Sequence, residues 1–157
     1  MVITNRKGEK FKIYFDVKHK YLLTKYSWSV NKDGTGRIVG LRAKVGDRHI
    51  YFHRLILKTK NIIDHIDRNP LNNKLSNLRV CSPTNNSQNL SIRINKITKF
   101  KGVIKSRNKW RARITVNKIL IHLGYFNDEI SAAKAYDRAA LRYFKKFACT
   151  NRQLGLL

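Results

Sequence analysis

From Arg68 to Lys118 every residue ionised at neutral pH is a cation, because the chain carries no acid between Asp67 and Asp128. That stretch cannot build its fold on internal ion pairs. Its like charges must face outward, since self-repulsion weakens a compact state. The whole chain shares the bias, with 34 Lys+Arg against 9 Asp+Glu, a formal charge of +25 and a pI near 10.6. A polyanionic partner is the usual compensation, as each Lys or Arg that meets a phosphate releases counterions. Two of the scarce acids, Asp64 and Asp67, flank His65 in IIDHIDRN. A carboxylate beside a histidine in such a chain points to a metal and a proton acceptor.

A length of 157 residues fits one medium domain or two small ones. The 42% hydrophobic and 10% aromatic content suffices for packed cores and excludes a disordered basic tail. No apolar run approaches the ~18 residues of a membrane helix. The opening MVITNRKGEKFKIYF lacks the apolar centre of a signal peptide, so an intracellular, unsecreted protein is expected. Cys81 and Cys149 belong to no CxxC pair, which argues against a zinc knuckle and for a reducing compartment.

Two small domains are expected, with an α+β fold. Residues 1–59 read as short strands around a helical stretch, at FKIYF (11–15), Tyr26 to Val30 and on either side of Val45-Gly46-Asp47. Asp33-Gly34 with Gly36 marks a turn. A strand then runs into Asp64-His65, followed by a polar loop with Pro70 and several Asn, a strand at Leu78 to Cys81, and a helix opened by Ser82-Pro83. These make residues 1–90 one domain, and residues 91–99 a basic linker. Beyond it, strands near 101–105, 110–116 and 119–123 are separated by Ser106-Arg107-Asn108 and Asn117-Lys118, with Gly124 ending the sheet. A helix capped by Asn127 follows to about Lys146, with Asp128 and Glu129 at the favourable end of its dipole. Its small face holds Ala132, Ala135 and Ala139 with Tyr136 and Tyr143.

Phosphodiester hydrolysis needs a water, a base and charge for the leaving oxygen. A neutral imidazole is available at physiological pH, and Mg²⁺ prefers one or two carboxylates plus phosphate oxygens. Asp64 and His65 supply those two chemistries side by side.

HRLIL (53–57) and IIDHIDRNPLNNKLSNLRVCSPTNN (62–86) resemble the HNH family of homing endonucleases, with its ββα-metal fold. The resemblance implies His65 as general base, Asp64 as a metal ligand and Asn77 as the asparagine that organises the loop behind the histidine. It puts Asn86 at the last ligand position, where Asn rather than His favours Mg²⁺ over a transition metal, with Mn²⁺ as a substitute. Asn85 and Asn89 remain alternative ligands. His53 is expected to pack or touch phosphate, and Asp67 to steady the loop by hydrogen bonds.

The run from 100 to 151 resembles the ethylene-response-factor (Apetala-two) DNA-binding domain, through GV (102–103), WRARI (110–114), LGYF (123–126), AAKAYDRAA (132–140) and Asn151. It implies a three-stranded antiparallel sheet, backed by one helix, lying in the major groove of DNA. Alternation puts Trp110, Ala112, Ile114 and Val116 on the core face and Arg111, Arg113 and Thr115 on the other. His122 joins the second set, and Lys101, Lys105, Arg107 and Lys109 extend the basic surface. Ile104 and Ser106 stand where plant members carry arginines, so base preference does not transfer.

The expected protein is a Mg²⁺-dependent, site-specific homing endonuclease acting on double-stranded DNA as monomer or homodimer. No membrane and no small-molecule cofactor beyond the metal are expected. The alternatives are a catalytically inactive sequence-specific DNA-binding regulator and an RNA-binding protein of ribosomal type.

Overall fold

In the computed structural model, which describes residues 1–5, 7–89 and 98–157, alternation chooses the strands and packing decides where they stop. Most of the expected linker, residues 91–97, lies outside the described residues. The described chain is mixed α and β, with small antiparallel sheets and four α-helices, compatible with the α+β class. It divides into two units, Met1–Ser82 and Pro83–Leu157. Among the described residues no helix is long and apolar enough to cross a membrane.

In the first unit, β1 (Val2–Thr4) pairs antiparallel with β2 (Lys10–Lys12). The FKIYF run keeps that pairing through Ile13, whose amide donates to the Met1 carbonyl at 2.8 Å and whose side chain is buried in the core, and Tyr14 then bridges Asn72 in parallel. Helix α1 (Tyr21–Lys25) delivers Leu22 to the same core, and the Trp28 indole N–H donates to the Leu22 carbonyl at 2.8 Å. Strands β3 (Trp28–Lys32), β4 (Ile38–Val45) and β5 (Arg48–Tyr51) form an antiparallel meander. The turn at Asp33 is fixed by its carboxylate, which accepts from the Thr35 and Arg37 amides at 2.9 and 3.1 Å.

Helix α2 (Phe52–Leu57) follows β5 directly and turns Phe52 inward, edge-on to Trp28 with ring centroids 5.0 Å apart. Burying a side chain of that size contributes about 1.5–3 kcal/mol. Lys58, at φ 48°, ends the helix, and the Arg54 guanidinium donates to the carbonyls of Thr59, Lys60 and Asn61. That clamp turns the chain into β6 (Ile62–His65), which pairs antiparallel with β7 (Leu78–Cys81).

In the second unit, α3 (Pro83–Gln88) starts on the proline, whose missing N–H would have no helical partner there. Strands β8 (Val103–Ser106), β9 (Lys109–Val116) and β10 (Ile119–Phe126) form an antiparallel sheet with β9 central. Asn117 and Lys118, both at positive φ, make the tight turn that a right-twisted hairpin requires. Gly124 does not end the sheet as expected. It sits at a register shift after His122, and β10 continues to Phe126. Helix α4 (Glu129–Phe144) is capped by Asp128, not Asn127, because the Asp128 carboxylate accepts from the Ser131 amide at 2.7 Å.

Ala132, Ala133, Ala135, Ala139 and Ala140 are all buried, and so small a face lets α4 lie against Ala112 and Ile114 of β9. Tyr136 and Phe144 complete that face, whereas Tyr143 is exposed at 41%. Asn151 is fully buried. It takes the Lys101 amide N–H on Oδ1 at 2.6 Å and donates through Nδ2 to Asp137 at 2.9 Å, closing the C-terminal segment on β8's approach.

Gly102 shows how close the packing is. At φ +74°, a Cβ there would lie 1.9 Å from Tyr136 Cδ2 and 2.7 Å from the Arg113 carbonyl oxygen. Gly102→Ala should therefore cost about 2–4 kcal/mol through overpacking and left-handed strain together. A thermal melt of the variant checks this; an unchanged Tm would contradict the contact.

Candidate active site and basic sheet

Asp64 and His65 end strand β6, and residues 66–77 form the loop that returns to β7. Such a loop is polar and short of room, so its dipoles must satisfy one another. Asn77, 7% exposed, does most of this. Its Oδ1 accepts from the Asp67 amide at 3.0 Å, its Nδ2 donates to Asp67 Oδ1 at 2.8 Å and the Asn72 carbonyl at 2.7 Å, and its carbonyl accepts from the Ile66 amide. Asp67 in turn accepts from the Asn69 amide and the Asn72 side chain. Burial raises the Asp67 pKa, yet the hydrogen bonds from Asn72, Asn69 and Asn77 outweigh it and hold the carboxyl below its ordinary value. The loop is thus ordered by a carboxylate that stays ionised.

The N-terminal segment ties the loop from the other side. The Tyr14 amide donates to the Leu71 carbonyl at 3.0 Å, the Asn73 amide donates to the Tyr14 carbonyl at 2.7 Å, and the Leu75 amide donates to the Asp16 carboxylate at 2.7 Å. Residues at the start of the chain therefore fix the backbone behind His65.

His65 is half-buried, and burial is the main reason its pKa lies below the usual histidine value. The Asn73 amide and the Asp67 and Asp64 carboxylates pull it partly back up. His53 on α2 stands edge-on to His65, with ring centroids 5.4 Å apart and planes at 90°, and stacks on Tyr51 from its other side. Burial, then the charge of His65, then Arg54 lower the His53 pKa to about 4. At neutral pH both imidazoles are neutral bases.

Asp64 is 6% exposed, and Arg79 lies directly across the β6–β7 pair. The guanidinium donates to Asp64 Oδ2 through Nε at 2.7 Å and Nη2 at 2.5 Å. Among the described residues no group of three or more His, Cys, Asp or Glu is arranged to hold a metal. A tetrahedral zinc site of nitrogen and sulfur ligands does not fit there. A single carboxylate does fit a hard cation that completes its shell with water and phosphate oxygens. Asn86 lies in α3 of the second unit, half-buried, with Asn85 beside it and Asn89 just beyond the helix.

In the second unit, the strand register sorts the basic residues. Arg111 sits between Ile104 and Tyr125, Arg113 opposite His122, Thr115 opposite Leu120 and Lys109 opposite Ser106, all on the face away from α4. The Arg111 Nε is buried without a hydrogen-bond partner among the described residues. Lys105 pairs with Trp110 on the helix side instead, its ammonium 4.5 Å from the ring centroid. Lys101 donates its ammonium to the Gln88 carbonyl, and Arg107 occupies the β8–β9 turn at φ 52°. The strands β8 to β10 contain no acid.

Asn73, Arg79 and the Tyr14 tie were not among the candidates read from sequence. Asn73 is one of several loop asparagines, and only its complete burial separates it from turn formers. Arg79 could have been found from the hairpin register opposite Asp64.

These features converge on a class, the nucleases built on a histidine beside a carboxylate at the end of a strand. The family profile described as HNH endonuclease matches residues 51–88, from Tyr51 ahead of α2 through α3. The chain is 36% identical over 136 residues to the uncharacterized HNH endonuclease L560 of Acanthamoeba polyphaga mimivirus, covering 83% of this chain and 70% of that protein. This chain belongs to the HNH endonuclease family. Shorter similarities are found as well. APETALA2-like protein 2 of Oryza sativa subsp. indica is 44% identical over 57 residues, which are 34% of this chain and 13% of that protein. Protein 3.8 of Escherichia phage T7 is 44% identical over 55 residues, 34% of this chain and 46% of that one.

The buried imidazole of His53 gives the first unit a pH signature. Unfolded, His53 takes its proton near 6.5; folded, only near about 4. Between those values the unfolded state binds more protons, so this contribution to stability is whole above ~6.5 and is lost as pH falls toward ~4. His53→Gln should flatten that part of the Tm–pH curve; an unchanged slope would assign it to another group.

Proposed function

We propose that this chain is a site-specific DNA endonuclease of the homing type, hydrolysing phosphodiester bonds with one divalent metal and His65 as general base. The observation that carries the reading is the state of His65: a half-buried imidazole, kept neutral by burial, adjoining Asp64 above a loop ordered by Asn77. A neutral imidazole accepts a proton from water without first losing one, which is the requirement of a base at physiological pH. Asp64 is the carboxylate ligand, and the family resemblance implies Asn86 as the source of a second oxygen. When bound, a Mg²⁺ or Mn²⁺ ion supplies the charge that polarises the scissile phosphate and stabilises the departing 3′ oxygen. Asn77 holds the loop through its hydrogen bonds to Asp67 and Asn72.

The acid-free face of β8 to β10 is assigned to duplex DNA. Arg111, Arg113, Lys109, Thr115 and His122 share that face, and the short similarity to APETALA2-like proteins supports the assignment. Lys101, Lys105 and Arg107 add positive charge from other positions. Arginine forks read guanine edges or clamp phosphates, while lysine acts as a point charge.

One observation favours the second reading, an inactive DNA-binding regulator: Arg79 already neutralises Asp64. A cleavage assay with divalent ions separates the two.

His65→Ala should lower the cleavage rate ~10²–10⁴-fold with duplex affinity nearly unchanged. Cleavage at the wild-type rate would remove His65 as the base. Asp64→Ala should lose activity through the metal, with partial recovery at raised Mg²⁺ or Mn²⁺. An unaltered metal requirement would rule that ligand out.

Arg113→Ala should weaken binding by ~1–3 kcal/mol and relax preference at one base position if it reads a base edge. Uniform weakening across sequences, measured by competition among oligonucleotide duplexes, would mark a phosphate contact instead.

A further inference from the structure

The register of β8 to β10 sorts the face away from α4 into rows. Lys109 stands beside Ser106, Arg111 between Ile104 and Tyr125, and Arg113 opposite His122, so each of these rows holds a cation. The last row, next to the Asn117-Lys118 turn, holds none, because there Thr115 is paired with Leu120. Thr115 is exposed, and Leu120 is 50% exposed. Alternation explains why Leu120 is not drawn under α4. Its neighbour Ile121 packs against the core cluster that includes Tyr136, so Leu120 faces the other way.

Single exposed leucines are ordinary on a protein surface. This one is set apart by its place, since it continues an acid-free, arginine-bearing face. A leucine neither donates nor accepts a hydrogen bond. Pressed against a phosphate it would strip water and return nothing, so at a DNA-facing position it gains only from apolar surface. On the base edges of the major groove that surface is the C5-methyl group of thymine, which the methyl group of threonine also suits. Strand rise of about 3.3 Å per residue puts the Thr115 row about 7 Å beyond Arg113. In a strand that follows the groove, at about 3.4 Å per base pair, the two rows would meet bases about two pairs apart.

We propose that Leu120 and the Thr115 methyl group form a thymine-methyl subsite at the hairpin end of the β9–β10 face. The duplex this sheet recognises then carries a thymine at that row, held by contact and not by hydrogen bonds. Arginine rows supply attraction and donors, and this row adds selection for a group that cytosine and uracil lack. The inference rests on the reading of the sheet as the surface that meets duplex DNA, and it names a base feature that this surface selects.

The test uses the full chain, in EDTA so that no strand is cut. Duplexes enriched by binding from a randomised pool define the preferred site. Each thymine of that site is then replaced singly by 2′-deoxyuridine, which removes the methyl group and keeps pairing with adenine. One replacement should weaken binding about 3–5-fold, the usual worth of one buried methyl group. Leu120→Ala should weaken binding to the parent duplex by a similar factor and bind the thymine and uracil forms of that position equally. Its Tm should stay close to the wild-type value, because the side chain lies outside the core. Equal affinity for the parent and every uracil duplex would overturn the proposal, as would a thymine preference that survives in Leu120→Ala. Two failures are kept apart by the enrichment itself. If the full chain enriches no sequence, the assignment of the sheet to sequence-directed DNA binding has failed and the subsite with it; if a site is enriched and every uracil replacement is neutral, only the subsite has.

Discussion

A polar loop can be drawn into a protein only if its own dipoles answer one another, and in the 66–77 loop that condition is met through the Asn77 side chain. Its amide offers both a donor and an acceptor, and both are spent on Asp67, once at the main chain and once at the carboxylate. Leucine would fill the same volume and satisfy neither. With Asn77 in place Asp67 stays ionised and gathers Asn69 and Asn72, and strand β7 leaves the loop in register with β6. The position of Asp64 opposite Arg79, and of His65 opposite Leu78, follows from that register.

The charge imbalance is distributed with similar economy. Acids are scarce, and several of those present serve as local structural ligands. Asp16 holds Leu75, Asp33 closes a turn, Asp128 caps α4, and Asp137 supports Asn151. Few remain to neutralise lysines and arginines, of which Asp64 and Glu9 take one each among the described residues. The cations of the β9 face are consequently set against neutral neighbours such as Ile104, Thr115 and Tyr125. A surface so composed holds its positive potential until a polyanion arrives.

Much of this was legible in the chain. The alternation in WRARITV assigned the two faces of β9, and Ser82-Pro83 placed the start of α3, because strand periodicity and proline at the first helical position are local effects. The errors were local as well. Asn127 and Asp128 are both good caps in sequence, and only the hydrogen bond to Ser131 chooses between them. Gly124 has the look of a strand end, but a bulge uses the same conformational freedom and lets the strand run on. The interactions that sequence concealed are those between distant residues. Lys105 alternates correctly on its strand, yet the register of β8 puts it beside Trp110 and not beside Arg111. Asn73 was indistinguishable from its neighbours until burial was known.

The tie between Tyr14 and the loop is made of main-chain groups alone. Peptide bonds are the same whatever side chain they carry, so mutation at position 14 can explore nearly the whole amino-acid alphabet while the clasp persists. Proline at Tyr14 or Asn73 is the exception, since it would delete the donor. Over evolutionary time such a fastening leaves almost no imprint on the letters around it, and related chains could share it while looking unrelated at their beginnings. Divergence there would record freedom of spelling, while the geometry behind the histidine stayed the same.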